Sequence, residues 1–218
     1  MKKNVYGALT GDVINFTKLH NHEKQVLIKA TEALIKTWVP VKEDAAVFRG
    51  DSYQILFDDP AQVTRRSIQL ICWFTKKSKP DRDIRLSTRI SIGIGQLDYR
   101  GKSVLDADGQ ALHLSGRRFD KMVKGELLVI TTETEELNEQ LGILLMFINL
   151  LVSQWNINQA EVIYLLLEGY TQTSIAEELG IGQSAVNNRI KTARWKEVEK
   201  GLAYITGLIT AKLTPANG

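Results

Sequence analysis

The sequence predicts an α+β fold, with a sheet domain over residues 1–134 and an all-α unit over residues 135–218. Three observations carry this. Strand-like and helix-like patterns alternate through the first two-thirds of the chain. No strand candidate follows Glu135. The helical periods after that point are punctuated at Asn156, Gly169, Gly180 and Gly201, residues that cap or interrupt helices.

The elements follow in order. Val5–Phe16 is rich in small and apolar residues and reads as a strand, ending near Gly11-Asp12. His22–Trp38 spaces Val26, Ala30, Ala33 and Leu34 as a helix does, and Pro40 closes it. Ala45–Phe48 and Tyr53–Phe57 are short apolar runs around Arg49-Gly50-Asp51-Ser52, which is hairpin chemistry. Ala61–Lys77 starts just after Pro60 and ends on two lysines, as a helix dipole favours. Ile84–Ile94 puts Ile84, Leu86, Thr88, Ile90, Ile92 and Ile94 on one strand face. Gln110–Val123 reads as a helix and Leu127–Thr131 as a short strand. The order β-α-β-β-α-β-α-β predicts a sheet with helices on one face. Leu137–Trp155 is apolar nearly all round, so as a helix it must be buried on most sides. It serves either as a connector packed between domains or as a dimerisation helix.

Composition limits the function classes. With 44% apolar and 24% charged residues, the chain is neither disordered nor fibrous. A net charge of +3 is too small to argue for nucleic acid on its own, though it can hide a local basic patch. The single cysteine, Cys72, excludes an internal disulfide and reads as core beside Trp73. Three scattered histidines leave no ligand set for a structural zinc, and His20-Asn21-His22 reads as a solvated loop. The start meets Gly and Asp before any apolar run reaches signal-peptide length. The longest apolar stretch, Leu141–Val152, falls short of the ~20 residues a membrane helix needs. A soluble, cytoplasmic protein without membrane contact is expected.

The strongest local signal lies between Asn158 and Lys196, which reads as three helices with short breaks. Thr171 or Thr173 can cap a helix carrying Ile175, Ala176 and Leu179. Gly180 stops it and Ile181 plugs the turn. Val186, Ile190 and Ala193 then form one buried stripe, with Ser184, Asn187, Asn188, Lys191 and Trp195 toward the opposite side and Arg194 at its edge. Gln183–Lys196 holds four cations and no acid. Amides can read base edges and cations can reach phosphates, so Gln183, Ser184, Asn187, Asn188, Lys191 and Arg194 are candidate contacts to double-stranded DNA. The EGY start, the IAEELGI turn and the SAVNNRI helix resemble the helix-turn-helix of sigma-factor region four and of LuxR-type regulators, over about 40 residues.

Four segments of the first domain also form a recognisable series. They are Gly11-Asp12-Val13-Ile14-Asn15-Phe16-Thr17, Arg49-Gly50-Asp51-Ser52-Tyr53, Arg89-Ile90-Ser91-Ile92-Gly93-Ile94-Gly95, and the stretch from Asp106 to Arg117. Together they resemble the nucleotidyl cyclase-like domain of class III adenylate and guanylate cyclases, and within that group SatD-like bacterial proteins. The resemblance implies a ferredoxin-like sheet domain. It implies that Asp12 and Asp51 hold Mg²⁺ or Mn²⁺, that Asp106 helps choose a purine base, and that Arg117 stabilises charge at phosphorus. Independently of it, two aspartates near neighbouring strand ends can converge, and two carboxylates suit Mg²⁺ or Mn²⁺ when a nucleoside triphosphate supplies the other oxygens. The sequence departs from that pattern at two places. His113 stands where a ribose-orienting asparagine is usual, and Val47 where a base-recognising lysine is common. The expectation is a homodimeric DNA-binding transcriptional regulator whose first domain senses a metal–nucleotide or assembles the dimer. The alternative is an active metal-dependent nucleotidyl cyclase, with Arg117 and His113 catalytic and a helical dimerisation tail. A structural scaffold is a third.

Overall fold

The structure is a computed structural model that describes residues 4–213, with side chains through residue 211. Residues 1–3, where the start expected to lack a signal peptide begins, and residues 214–218 lie outside the described residues. The protein is α+β, a five-stranded mixed sheet with eight α-helices among the described residues. Strands β1 (Tyr6–Ile14), β2 (Ala45–Phe48), β3 (Ser52–Phe57), β4 (Ser87–Gly95) and β5 (Leu128–Thr131) lie in the order β2-β3-β1-β4-β5. Neighbours are antiparallel except β5, which runs parallel to β4. A parallel join needs a crossover, and α3 (Gln110–Phe119) supplies it.

Two helices precede that crossover, α1 (Asn21–Lys36) and α2 (Gln62–Thr75). The expected order of elements is therefore found, but helices cover both faces of the sheet rather than one. Ile90, Ile92 and Ile94 look toward the α2 side, where Val63 fills the space above Gly7. On the other side Ser91, Gly93 and Gly95 alternate with them and admit α3. A Cβ at Gly93 would stand 2.0 Å from the Ala111 carbonyl oxygen and 2.6 Å from the Ser115 nitrogen. Small residues on the second face of a strand let another backbone approach. Thr10 and Ser115 hydroxyls meet across that approach at 2.7 Å.

Boundaries shift in places. Asp12 lies inside β1 and not at its end, because β1 continues in register with β4 as far as Ile14 and Ser87. Ile84 and Leu86 are buried but precede β4; Ile84 instead forms a small bridge with Lys79. α3 stops at Phe119, short of Val123. His20 and His22 are not in a loop proper: His22 belongs to α1, and the His20 amide donates to Glu23 Oε2 at 3.0 Å as the helix starts. Cys72 is fully buried, and burial pushes its thiol well above the usual range.

The remaining helices are α4 (Glu135–Val152), α5 (Ile157–Leu167), α6 (Gln172–Leu179), α7 (Gln183–Thr192) and α8 (Trp195–Leu213). One apolar cluster joins Leu9 and Ile92 of the sheet to Leu141 and Ile148 of α4 and to Val186 and Ile209 further on. α4 is not buried on most sides. It buries Leu137, Leu141, Leu145, Ile148 and Val152 and leaves Ile143, Met146, Phe147 and Leu150 exposed. The expected break at Gly201 is absent, since that glycine lies within α8, where a Cβ would stand 3.2 Å from Ile148 Cδ1. It is a point of close helix approach. Among the described residues, no helix is long and apolar enough to cross a membrane.

Candidate functional site

Register brings the two aspartates together. Asp12 of β1 stands opposite Ser52 of β3, and Asp51 precedes Ser52, its carbonyl accepting from the Val13 amide at 3.1 Å, so the two backbones are close and both carboxylates act on Arg89. The β2–β3 turn that carries Asp51 has positive φ at Arg49 (51°) and Gly50 (88°), the backbone sense tight hairpins require. Gly11 is also needed here. The Tyr53 ring crosses it so closely that a Cβ would stand 2.5 Å from the ring.

On the opposite flank of β1, Arg89 of β4 is the direct register partner of Asp12. Its guanidinium grips the carboxylate with both arms, Nε to Oδ1 at 3.1 Å and Nη2 to Oδ2 at 2.5 Å. Paired arms of this kind are among the stronger charge-assisted contacts. The guanidinium also sits 5.2 Å from the centre of the Phe119 ring. The hydrogen bonds Arg89 donates to Asp12, and the charges of Asp12 and Asp51, hold the Arg89 pKa above its ordinary value. Nothing local in the sequence assigns Arg89 a role. It opens the Arg89–Gly95 strand motif, and only the β1–β4 register shows that it faces Asp12.

The other cyclase-type candidates lie apart from this pair. α3 turns Ala111 and Ser115 inward, so His113 and Arg117, four residues apart, project from its outer side into solvent. His113 Nε2 is 2.7 Å from Asp108 Oδ1. Asp106 is exposed in the preceding loop, where its carboxylate accepts from the Ser103 hydroxyl at 3.3 Å. Among the described residues, no hydrogen bond or ion pair links Arg117, His113 or Asp106 to Asp12 or Asp51. No cluster of three His, Cys, Asp or Glu side chains able to hold a metal occurs among those residues either. Mg²⁺ commonly makes do with one or two carboxylates when phosphate oxygens and water complete its shell. Both Asp12 oxygens are engaged by Arg89, so any cation at this carboxylate would have to share or displace that guanidinium.

The second candidate surface lies on α7. Thr171 caps α6, its hydroxyl accepting from the Ser174 amide at 3.1 Å. Gly180 ends α6 in the left-handed region at φ 63°, where glycine carries no Cβ penalty. Val186, Ile190 and Ala193 are buried, as the spacing predicts. Ser184, Asn187, Asn188 and Lys191 are exposed, and among the described residues their side chains have no hydrogen-bond or ion-pair partner. Gln183 is engaged, donating to the Thr173 hydroxyl at 2.8 Å. Arg189 faces Glu161 of α5 at 3.7 Å.

Two expectations need correction here. Gln183–Lys196 is not one helix, since α7 ends at Thr192, Arg194 has φ 53° and α8 begins at Trp195. Arg194 thus lies in the turn, 3.7 Å from Glu197. Trp195 does not share the exposed face. It is 6% exposed and its ring lies 6.1 Å from that of Trp155. A helical wheel extrapolated past Thr192 misplaces it because the helix stops there. No family model, curated protein or solved structure matches this chain.

Proposed function

We propose that this protein is a homodimeric, cytoplasmic DNA-binding transcriptional regulator. Its α6–α7 pair acts as a helix-turn-helix, and its sheet domain is a ferredoxin-like, nucleotidyl cyclase-like module that senses a metal–nucleotide. The observation that carries the reading is the α7 face. Two amides, a hydroxyl and Lys191 stand exposed and uncommitted on a helix anchored from behind by Val186 and Ile190. Asn188 and Asn187 can pair with adenine edges in a major groove, while Lys191 and Arg194 meet phosphates. Gln183 and Ser184, at the start of the helix, reach the adjoining backbone. In the sheet domain, the order β2-β3-β1-β4 and the Asp12/Asp51 pair support the module. Mg²⁺ or Mn²⁺ bound there would neutralise a nucleoside triphosphate, and Asp106 would face its base.

Duplex binding tests the regulator. Asn188→Ala should cost on the order of 1–3 kcal/mol on a selected site and little on random DNA. Lys191→Ala should weaken both and flatten the salt dependence by about one unit of slope. Absence of any salt-sensitive duplex binding would overturn the reading and leave α5–α7 as a protein-docking unit.

One observation keeps the enzyme reading in play. His113 and Arg117 are exposed on α3, open to the Asp12/Asp51 pair of a second copy. Incubation with Mn²⁺ and each nucleoside triphosphate separates the two readings. A raised melting temperature without product, abolished by Asp51→Ala, is the sensor's signature. A cyclic product is the enzyme's.

A further inference from the structure

We infer that the outer face of α4 is the homodimer interface, two copies packing their α4 helices antiparallel about a two-fold axis that passes between Met146 and Phe147. This rests on the homodimer of the proposed function and names the surface that makes it; it does not depend on DNA binding.

Ile143, Met146, Phe147 and Leu150 fall at i, i+3, i+4 and i+7, so they form one continuous stripe on a helix. They are 61%, 59%, 58% and 61% exposed. Side chains of this size carry on the order of 200 Å² each, so the stripe leaves roughly 500 Å² of apolar surface per copy. Two copies bring together about 1,000 Å² before any rim is added, which reaches the lower bound for a specific interface. Contiguous apolar area of this kind on a folded chain marks a contact site. The other apolar stripe of the helical unit is already spent, since Leu202, Ile205 and Ile209 of α8 are buried in the chain's own core.

The groove beside the stripe decides what kind of element it takes. Its volume is about 830 Å³, and β5, the edge strand, forms one wall. A free strand edge ordinarily invites another strand. Here α4 closes it. Asn149 accepts from the Leu128 amide and donates to the Leu128 carbonyl, both at 2.9 Å. Asn138 does the same at Thr132, at 2.7 Å and 3.0 Å. Two side-chain amides thus stand where a sixth strand would pair, and the surface left over is the helix face itself. A helix is the fitting partner.

Charge sets the direction. Glu135, Glu136 and Glu139 are exposed at the start of α4, in line with the stripe. A parallel pair would set these acids against their own copies. An antiparallel pair carries them to the far end of the partner, where Lys121 lines the same groove as Leu150 and Ser153. Opposed helix dipoles favour the same direction. Antiparallel pairing about the centre of the stripe sets Ile143 against Leu150 and Met146 against Phe147. Gly142, with open space where a Cβ would stand, lets the partner helix come close.

Sedimentation and cross-linking on the full chain test this. Phe147→Glu with Leu150→Glu should raise the dimer dissociation constant by roughly a hundredfold or more. Both positions are exposed, so circular dichroism and the melting curve of the monomer should stay those of the wild type. In the second arm the stripe stays apolar. Ile143→Cys and Leu150→Cys proteins are oxidised separately and mixed; a covalent dimer should form in the mixture alone, and buried Cys72 stays silent. Cross-linking of Ile143→Cys with itself would overturn the antiparallel direction. A dimer unaffected by the double variant, with no cross-link in the mixture, would overturn the surface and leave the homodimer standing. A monomeric wild type would overturn both.

Discussion

Glu23 ties the start of α1 to the loop before β4, and the tie is electrostatic. Its carboxylate takes an Arg82 arm at 2.5 Å and the His20 amide at 3.0 Å, with Lys79 3.7 Å away. The Arg82 hydrogen bond first, then the His20 amide, hold its pKa down at about 2 from an ordinary 4.5. A depressed carboxylate binds fewer protons folded than unfolded, so its contribution is fully present above the unfolded value. As pH falls from 4.5 toward about 2 that contribution is lost. Glu23→Gln should therefore flatten the melting temperature over that window relative to wild type, with the curves differing most near neutrality. Curves that stay parallel through the window would show that the pair does nothing for the fold. Residue chemistry of this kind is half legible in sequence. Glu23 has the spacing of a capping partner, but His20 is not a usual cap and reads as loop, and Arg82 joins only through the chain's return.

Among elements, the α3–β4 contact is a close backbone approach. Gly93 is a case where the absence of a side chain positions a helix: the Ala111 carbonyl and the Ser115 amide occupy the space a Cβ would need. Neither neighbour is a flexible side chain, so α3 as a whole must move. Gly93→Ala should cost about 3 kcal/mol or more, at the upper end of overpacking costs. Ser115→Ala, which removes the hydroxyl that meets Thr10, should cost only about 1 kcal/mol. Chemical denaturation of the two variants gives the comparison, and a Gly93→Ala loss no larger than that of Ser115→Ala would refute the packing argument. β4 reads as one-sided because the isoleucines dominate its pattern. Serine and glycine between them carry no hydropathy signal, so the second covered face is silent in the sequence.

At the scale of the molecule, Trp155 couples the sheet to the helical unit. Its Nε1 donates to the Ala193 carbonyl at 2.7 Å, its ring packs against Trp195, and its own carbonyl accepts from Arg85 at 3.1 Å. Arg85 also donates to the Ser153 carbonyl. Trp155→Phe leaves the Ala193 carbonyl buried and unpaired, a loss of about 1–3 kcal/mol. Because the bond sits at the α7–α8 junction, hydrogen exchange should quicken in α7 while β1 and β4 keep their protection. Uniform quickening across the chain would show that the tryptophan supports global stability and not this junction.

The sequence by itself determined the alternation of strands and helices, the all-α character after Glu135, and the buried stripe through Val186 and Ile190. These are local matters of periodicity and capping, written within a few residues of each element. It also marked Asp12 and Asp51 as candidates, although Asp12 lies within β1 and not at the strand end that its Gly-Asp pair suggests. Tertiary structure alone decided the rest. Register put Arg89 on Asp12, and the stop after Thr192 turned Trp195 inward. The path of α3 held His113 and Arg117 away from the aspartates. The fate of two apolar helices was settled in the same way. α4 and α8 each carry an apolar stripe, but packing consumed the stripe of α8 and left that of α4 to solvent. Which of two greasy faces finds a partner inside the chain depends on where the chain returns, and no local pattern encodes that.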